Sequence, residues 1–95
     1  MHASIAHFAG DPAELMRNYD AMLADVPAGS MRLHLCLRAA DGLVVVDTCP
    51  TKADYEVFSS SEAFRAFRAS HGLPDPDRIE DFPVHVALAH GERVE

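Results

Sequence analysis

The chain has 95 residues and a mass of 10.4 kDa, which is the size of one domain. It is 48% hydrophobic and 24% charged, a globular composition and not a disordered one. Fifteen acids against eight bases give a net charge of −7, which speaks against nucleic-acid phosphates and anionic membrane surfaces as partners.

Met1 to Gly10 has no basic start, no long apolar run and no small-residue cleavage site. No stretch approaches the roughly 18 apolar residues of a membrane span. The two cysteines, Cys36 and Cys49, are too few for a disulfide framework and form no CxxC pair. A cytoplasmic protein with reduced thiols is expected.

His2 to Phe8 reads as a strand closed by the turn formers Gly10 and Asp11. Asp11-Pro12-Ala13-Glu14 is a helix start: a capping side chain, proline at the first position and an acid three residues on. Leu15, Met16, Tyr19, Met22, Leu23 and Val26 recur at helical spacing, and Pro27 and Gly29 should end the helix. Ser30 to Arg38 alternates as a strand. Met31, Leu33, Leu35 and Leu37 are expected on the core; Arg32, His34, Cys36 and Arg38 should point the other way. Asp41-Gly42 marks a hairpin leading into Leu43 to Cys49, a strand apolar on both faces. Thr51, with Asp54 three residues on, should cap a helix carrying Tyr55, Val57 and Phe58. Ser60 or Ser61 should cap a further helix with Phe64 and Phe67, ended by Gly72 and Pro74. Leu73 to Asp81 is expected to be a polar loop, Phe82 to His90 the last strand, and Gly91 to Glu95 a tail.

Strand, helix, strand, strand, helix, strand is the ferredoxin-like α+β pattern, a βαββαβ single domain over residues 1–95. It gives a four-stranded antiparallel sheet with helices on one face and the chain's third strand between the first and second. Val44, Val46 and Thr48 are expected beneath the helices, and Leu43, Val45, Asp47 and Cys49 on the other face. With Ala87 and Ala89 on the last strand, that second face is apolar, and a second copy is its economical cover. A homodimer is expected.

The start Met1-His2-Ala3-Ser4-Ile5, the hairpin strand Leu43-Val44-Val45-Val46-Asp47 and the segment Ala53 to Phe64 resemble the dimeric α+β barrel superfamily. The likeness is to its antibiotic-biosynthesis-monooxygenase-like branch and that branch's uncharacterised bacterial relatives, and it spans nearly the whole chain. It implies two sheets paired into a barrel and a cavity for a small molecule. For some members it also implies cofactor-independent oxygenation of polyphenolic substrates. Many relatives end the third strand in Trp-Glu-Ser; here Cys49-Pro50-Thr51 stands in that place, and the chain has no Trp.

Hairpin parity groups chemistry without reference to a family. Whether the loop has two or four residues, Arg32, His34, Cys36, Arg38, Asp47 and Cys49 share one face, expected to be opposite the helices. A four-residue loop, Ala39 to Gly42, sets His34 against Asp47. A two-residue loop sets Cys36 against Asp47. An imidazole oriented by a carboxylate is the apparatus of a general base; the plainer reading is a cross-strand pair that fixes register. His34 and Asp47 are therefore the candidate catalytic residues. Arg32, as an anion clamp, with Cys36, Cys49 and His85 are the candidate substrate contacts. Cys36 beside His34 on one strand is poor geometry for a nucleophile. The spacings match no metal signature, and no phosphate loop or nucleotide fingerprint is present, so no cofactor is expected. The remaining histidines, His2, His7, His71 and His90, lie near element ends and read as solvated or capping.

Two functions follow. One is a small-molecule enzyme, a cofactor-independent monooxygenase acting on an aromatic or polyketide-like substrate. The other is a non-catalytic homodimeric module that binds a ligand or assembles. A cavity of about 300 Å³ or more beside His34 would favour the first.

Overall fold

The structure, a computed structural model, describes residues 1–27 and 31–95. In chain order the elements are β1 (His2–Ala9), α1 (Pro12–Ala24), β2 (His34–Ala39), β3 (Gly42–Cys49), α2 (Lys52–Ser59), α3 (Glu62–Ser70), β4 (Arg78–Pro83), β5 (Leu88–Ala89) and β6 (Glu92–Arg93). Strands β2, β3, β1 and β4 form one antiparallel sheet in that order, with β3 beside β1 and β2 as the ferredoxin-like pattern requires. β5 and β6 form a small separate hairpin. No helix is long and apolar enough to cross a membrane among the described residues.

All three helix starts follow from the sequence. The Asp11, Thr51 and Ser61 side chains accept hydrogen bonds from the backbone N–H of Glu14, Asp54 and Phe64, each satisfying a donor the helix leaves free. The helix ends differ in part. α1 stops at Ala24 with Asp25 as its cap, three residues before Pro27, and Gly29 lies outside the described residues. Gly72 does end the third helix, in the left-handed region at φ +78°. Asn18 then ties α1 to that turn, donating to the Gly72 carbonyl at 3.1 Å.

Four expectations are corrected. The last sheet strand is Arg78–Pro83, not Phe82 to His90; part of the supposed acidic loop pairs with β1, and Ala87 and Ala89 lie outside the four-stranded sheet. β2 begins at His34, and Ser30 lies outside the described residues. His2 is 5% exposed, bonded through Nε2 to Asp81 at 2.7 Å and packed on Tyr55, so it is not a solvated end residue.

The fourth correction reverses the sheet. The helices cover the face bearing Phe8, Cys36, Leu43 and Val45, which pack with Leu15, Tyr19, Met22 and Leu73. Leu43 is the most enclosed apolar side chain among the described residues, 2% exposed, whereas Leu35 is 59% exposed on the open face. His34, Cys36, Asp47 and Cys49 do share a face, as parity requires, but it is the helix side. Hairpin pairing couples β2 to β3, and β3 is apolar on both faces, so leucine size alone pointed to the core and pointed wrongly.

Gly42 is where β1 and the β2–β3 hairpin meet. A Cβ there would stand 1.8 Å from the Phe8 carbonyl oxygen, so only glycine lets the strands close. Gly42→Ala should therefore lower the thermal unfolding midpoint sharply, and an unchanged midpoint would contradict the close approach.

Candidate functional site

A cavity of about 490 Å³ lies between the sheet and the three helices. Its floor comes from β1 and β3 through Ser4, Ala6, Phe8, Val45 and Asp47, and its walls include Tyr19 of α1, Tyr55 and Phe58 of α2, and Phe64 and Phe67 of α3. Most of the lining is apolar. Two clusters of polar groups stand in it.

The first cluster is Tyr19, His34 and Asp47. β2–β3 pairing sets His34 directly across from Asp47, the register expected for the four-residue loop, although Ala39 also pairs with Gly42 and leaves only Ala40 and Asp41 in the turn. The α1 stripe brings Tyr19 over them, and its hydroxyl stands 2.5 Å from His34 Nε2 with the two rings nearly parallel. Asp47 Oδ1 accepts the Thr48 N–H at 2.8 Å and lies 3.4 Å from His34 Nδ1. That is ion-pair distance without hydrogen-bond alignment: Nδ1 is buried and has no hydrogen-bond partner among the described residues. The pattern assigns the Tyr19 O–H as donor to Nε2 and leaves Nδ1–H facing Asp47.

Burial, reinforced by Cys36, Asp47 and Asp20, pushes the Tyr19 hydroxyl from 10.0 up to about 12. The folded state thus holds this proton more tightly than the unfolded chain. The contribution of this group to stability should be intact below pH 10 and be lost as pH rises from 10 towards 12. Two units correspond to about 3 kcal/mol at most. Tyr19→Phe should remove that part of the alkaline loss in urea unfolding followed across this range; an identical alkaline slope in the variant would place the titration elsewhere.

The second cluster surrounds Arg68 of α3. Its guanidinium carbon lies 5.5 Å from the Phe64 ring centre and 6.0 Å from that of Phe8. Its side chain is 14% exposed and reaches Asp75, at 3.4 Å through Nη2, while Nη1 donates to the Pro74 carbonyl at 3.4 Å. Burial pulls it below its ordinary value, partly offset by Asp75. Its Nε is buried and donates to nothing among the described residues.

The other candidates are placed as follows. Cys49 lines the cavity, and Cys36 packs against the core beside it. Burial pushes both thiols up, helped by Asp20 at Cys36 and by Asp47 and Asp54 at Cys49, which disfavours the thiolate a nucleophile needs. Arg32 and His85 are exposed and outside the cavity lining. No group of three or more His, Cys, Asp or Glu among the described residues is arranged to hold a metal ion.

Tyr19 and Arg68 are the residues sequence reasoning passed over. Tyr19 was legible only as a member of an apolar stripe, although it is the one side chain of that stripe with a polar tip. Arg68 follows Phe64 by four residues and so shares its helix face, a signal that an arginine is set among aromatics.

Comparison of the chain with protein-family models and with curated proteins finds no match in either.

Proposed function

We propose that this protein is a small-molecule-binding α+β protein that takes an aromatic or polyketide-like substrate into the cavity beneath its helices and removes a proton from it. The observation carrying this reading is the Tyr19–His34–Asp47 cluster on the wall of a mostly apolar cavity of about 490 Å³, within the usual size range of small-molecule sites. Nε2 accepts the Tyr19 proton while the Tyr19 oxygen accepts one from a substrate hydroxyl or activated C–H. Asp47 stabilises the imidazolium that results. The substrate anion is electron-rich enough to react with dioxygen without a cofactor. For the CH₂ of an anthrone, which lies between two aryl rings conjugated with the carbonyl, one oxygen atom of dioxygen ends as the new C=O and the other leaves as water with the two hydrogens. This is the chemistry of the oxygenase family that the sequence resembles, and membership of that family is part of the proposal.

Oxygen uptake with a panel of anthrones and polyphenols tests it. Uptake matched one-to-one by ketone formation is expected, and its absence with every bound ligand would leave only the binding function.

The open sheet face supports a homodimer as the second part of the proposal. Leu35, Leu37 and Phe82 are exposed there, beside Ile5 and Val46, which register sets on the same face. The chain exposes 6,209 Å² in total, above the about 5,400 Å² expected for a folded monomer of this mass. The dimer face is thus the one opposite Leu43 and Val45. Light scattering at micromolar concentration should give twice 10.4 kDa, and Leu37→Glu should halve it. A wild-type monomer would sink this part.

A further inference from the structure

We propose that Arg68 is the anion-binding end of the cavity, and that the ligand is a linear, multi-ring aromatic carboxylate lying between Arg68 and the Tyr19–His34 pair. The inference rests on the cavity reading above and names its ligand class.

Arg68 is the only lysine or arginine among the described residues that line the cavity, in a protein whose net charge is −7. Its own counter-charge is a poor match. Asp75 is mostly exposed, sits 3.4 Å from Nη2 and is shared with Arg65 Nε at 3.6 Å. The bond to Pro74 is also long. Arginine pairs best with a carboxylate through two parallel N–H donors, and here Nε–H is unused. A ligand carboxylate reached by a small turn of the guanidinium would take Nε–H and Nη2–H together. The flanking Phe8 and Phe64 rings already hold the guanidinium between aromatic surfaces and keep that contact out of water.

Register sets the length of the ligand. The guanidinium lies over Phe8, which pairs with Leu43. His34 pairs with Asp47, which faces Ser4. From Phe8 to Ser4 is four residues of β1, about 13 Å of strand. The cation and the proton acceptor therefore stand near opposite ends of the cavity. A molecule held at both needs two or three fused rings, and a single ring reaches only one end.

Isothermal titration of the full chain with anthraquinone-2-carboxylate, its neutral carboxamide and benzoate tests this. The carboxylate should bind at least tenfold more tightly than the carboxamide, and benzoate more weakly than either. Arg68→Met or Arg68→Gln, whichever stays folded, should abolish the preference while keeping the carboxamide affinity within about twofold. His34→Gln should keep the preference, because it acts at the other end. Equal wild-type affinities for carboxylate and carboxamide overturn the Arg68 assignment and leave the cavity reading standing. So does a preference that survives in the Arg68 variant. If neither three-ring ligand binds, the cavity reading fails and this one with it.

Discussion

Leu43→Ala is expected to destabilise the protein by about 2–5 kcal/mol in urea unfolding, and Leu35→Ala by under about 1 kcal/mol when both are compared in a monomeric Leu37→Glu background. The difference follows from position alone. Leu43 is 2% exposed at the centre of the helix-covered core, so truncation leaves a cavity that Leu15, Met22 and Leu73 cannot close. Leu35 projects from the open face and loses little in a monomer. If the proposed dimer forms, Leu35→Ala in the wild-type chain should instead show its cost as weaker association. Equal losses in the monomeric background would mean that the helices cover the other face of the sheet.

The second large effect concerns turnover. His34→Gln should lower the rate of substrate-dependent oxygen uptake by about 10²–10⁴-fold, the range general-base catalysis contributes. Tyr19→Phe should lower it as well, because the proposed relay passes the proton through the phenolic oxygen that stands 2.5 Å from Nε2. Asp47→Asn should reduce turnover more than ligand affinity, since it removes the charge facing Nδ1 without changing side-chain shape. Ligand affinity measured alongside separates this from a structural role. If all three variants lose binding and folding stability together while turnover per bound ligand is unchanged, the trio only holds sheet and helix together.

The caps, the element order through α3 and the placement of His34 and Asp47 on one face could be read from the chain because each depends on neighbours in sequence. Asp11, Thr51 and Ser61 act within three residues, and a short hairpin loop fixes parity. The orientation of the sheet could not be read that way. Val44 and Val46 make one face of β3 as apolar as Leu43 and Val45 make the other, so periodicity had no preferred side. The odd-numbered leucines of β2 resembled core residues for the same reason. β4 does not read as a strand because Arg78, Glu80 and Asp81 carry the charges of a loop. They sit on an edge strand, where charged side chains are at home, and His2 and His7 reach Asp81 and Glu80 across it. The Tyr19–His34 contact joins α1 to β2 through packing of helix on sheet, which no local pattern encodes.

The two-faced strand β3 has a consequence for the chain before it folds. Leu43-Val44-Val45-Val46 is a β-prone, uncharged run without proline, the composition of segments that nucleate cross-β assembly. In the folded protein it is shielded on both edges, by β1 and β2. In the nascent or unfolded chain the protection is chemical: Asp41 and Asp47 bracket the run as charged gatekeepers. Asp47 thus guards solubility as well as facing His34. Neutralising it should speed fibril formation during refolding from denaturant, a cost that appears whether or not any substrate is present.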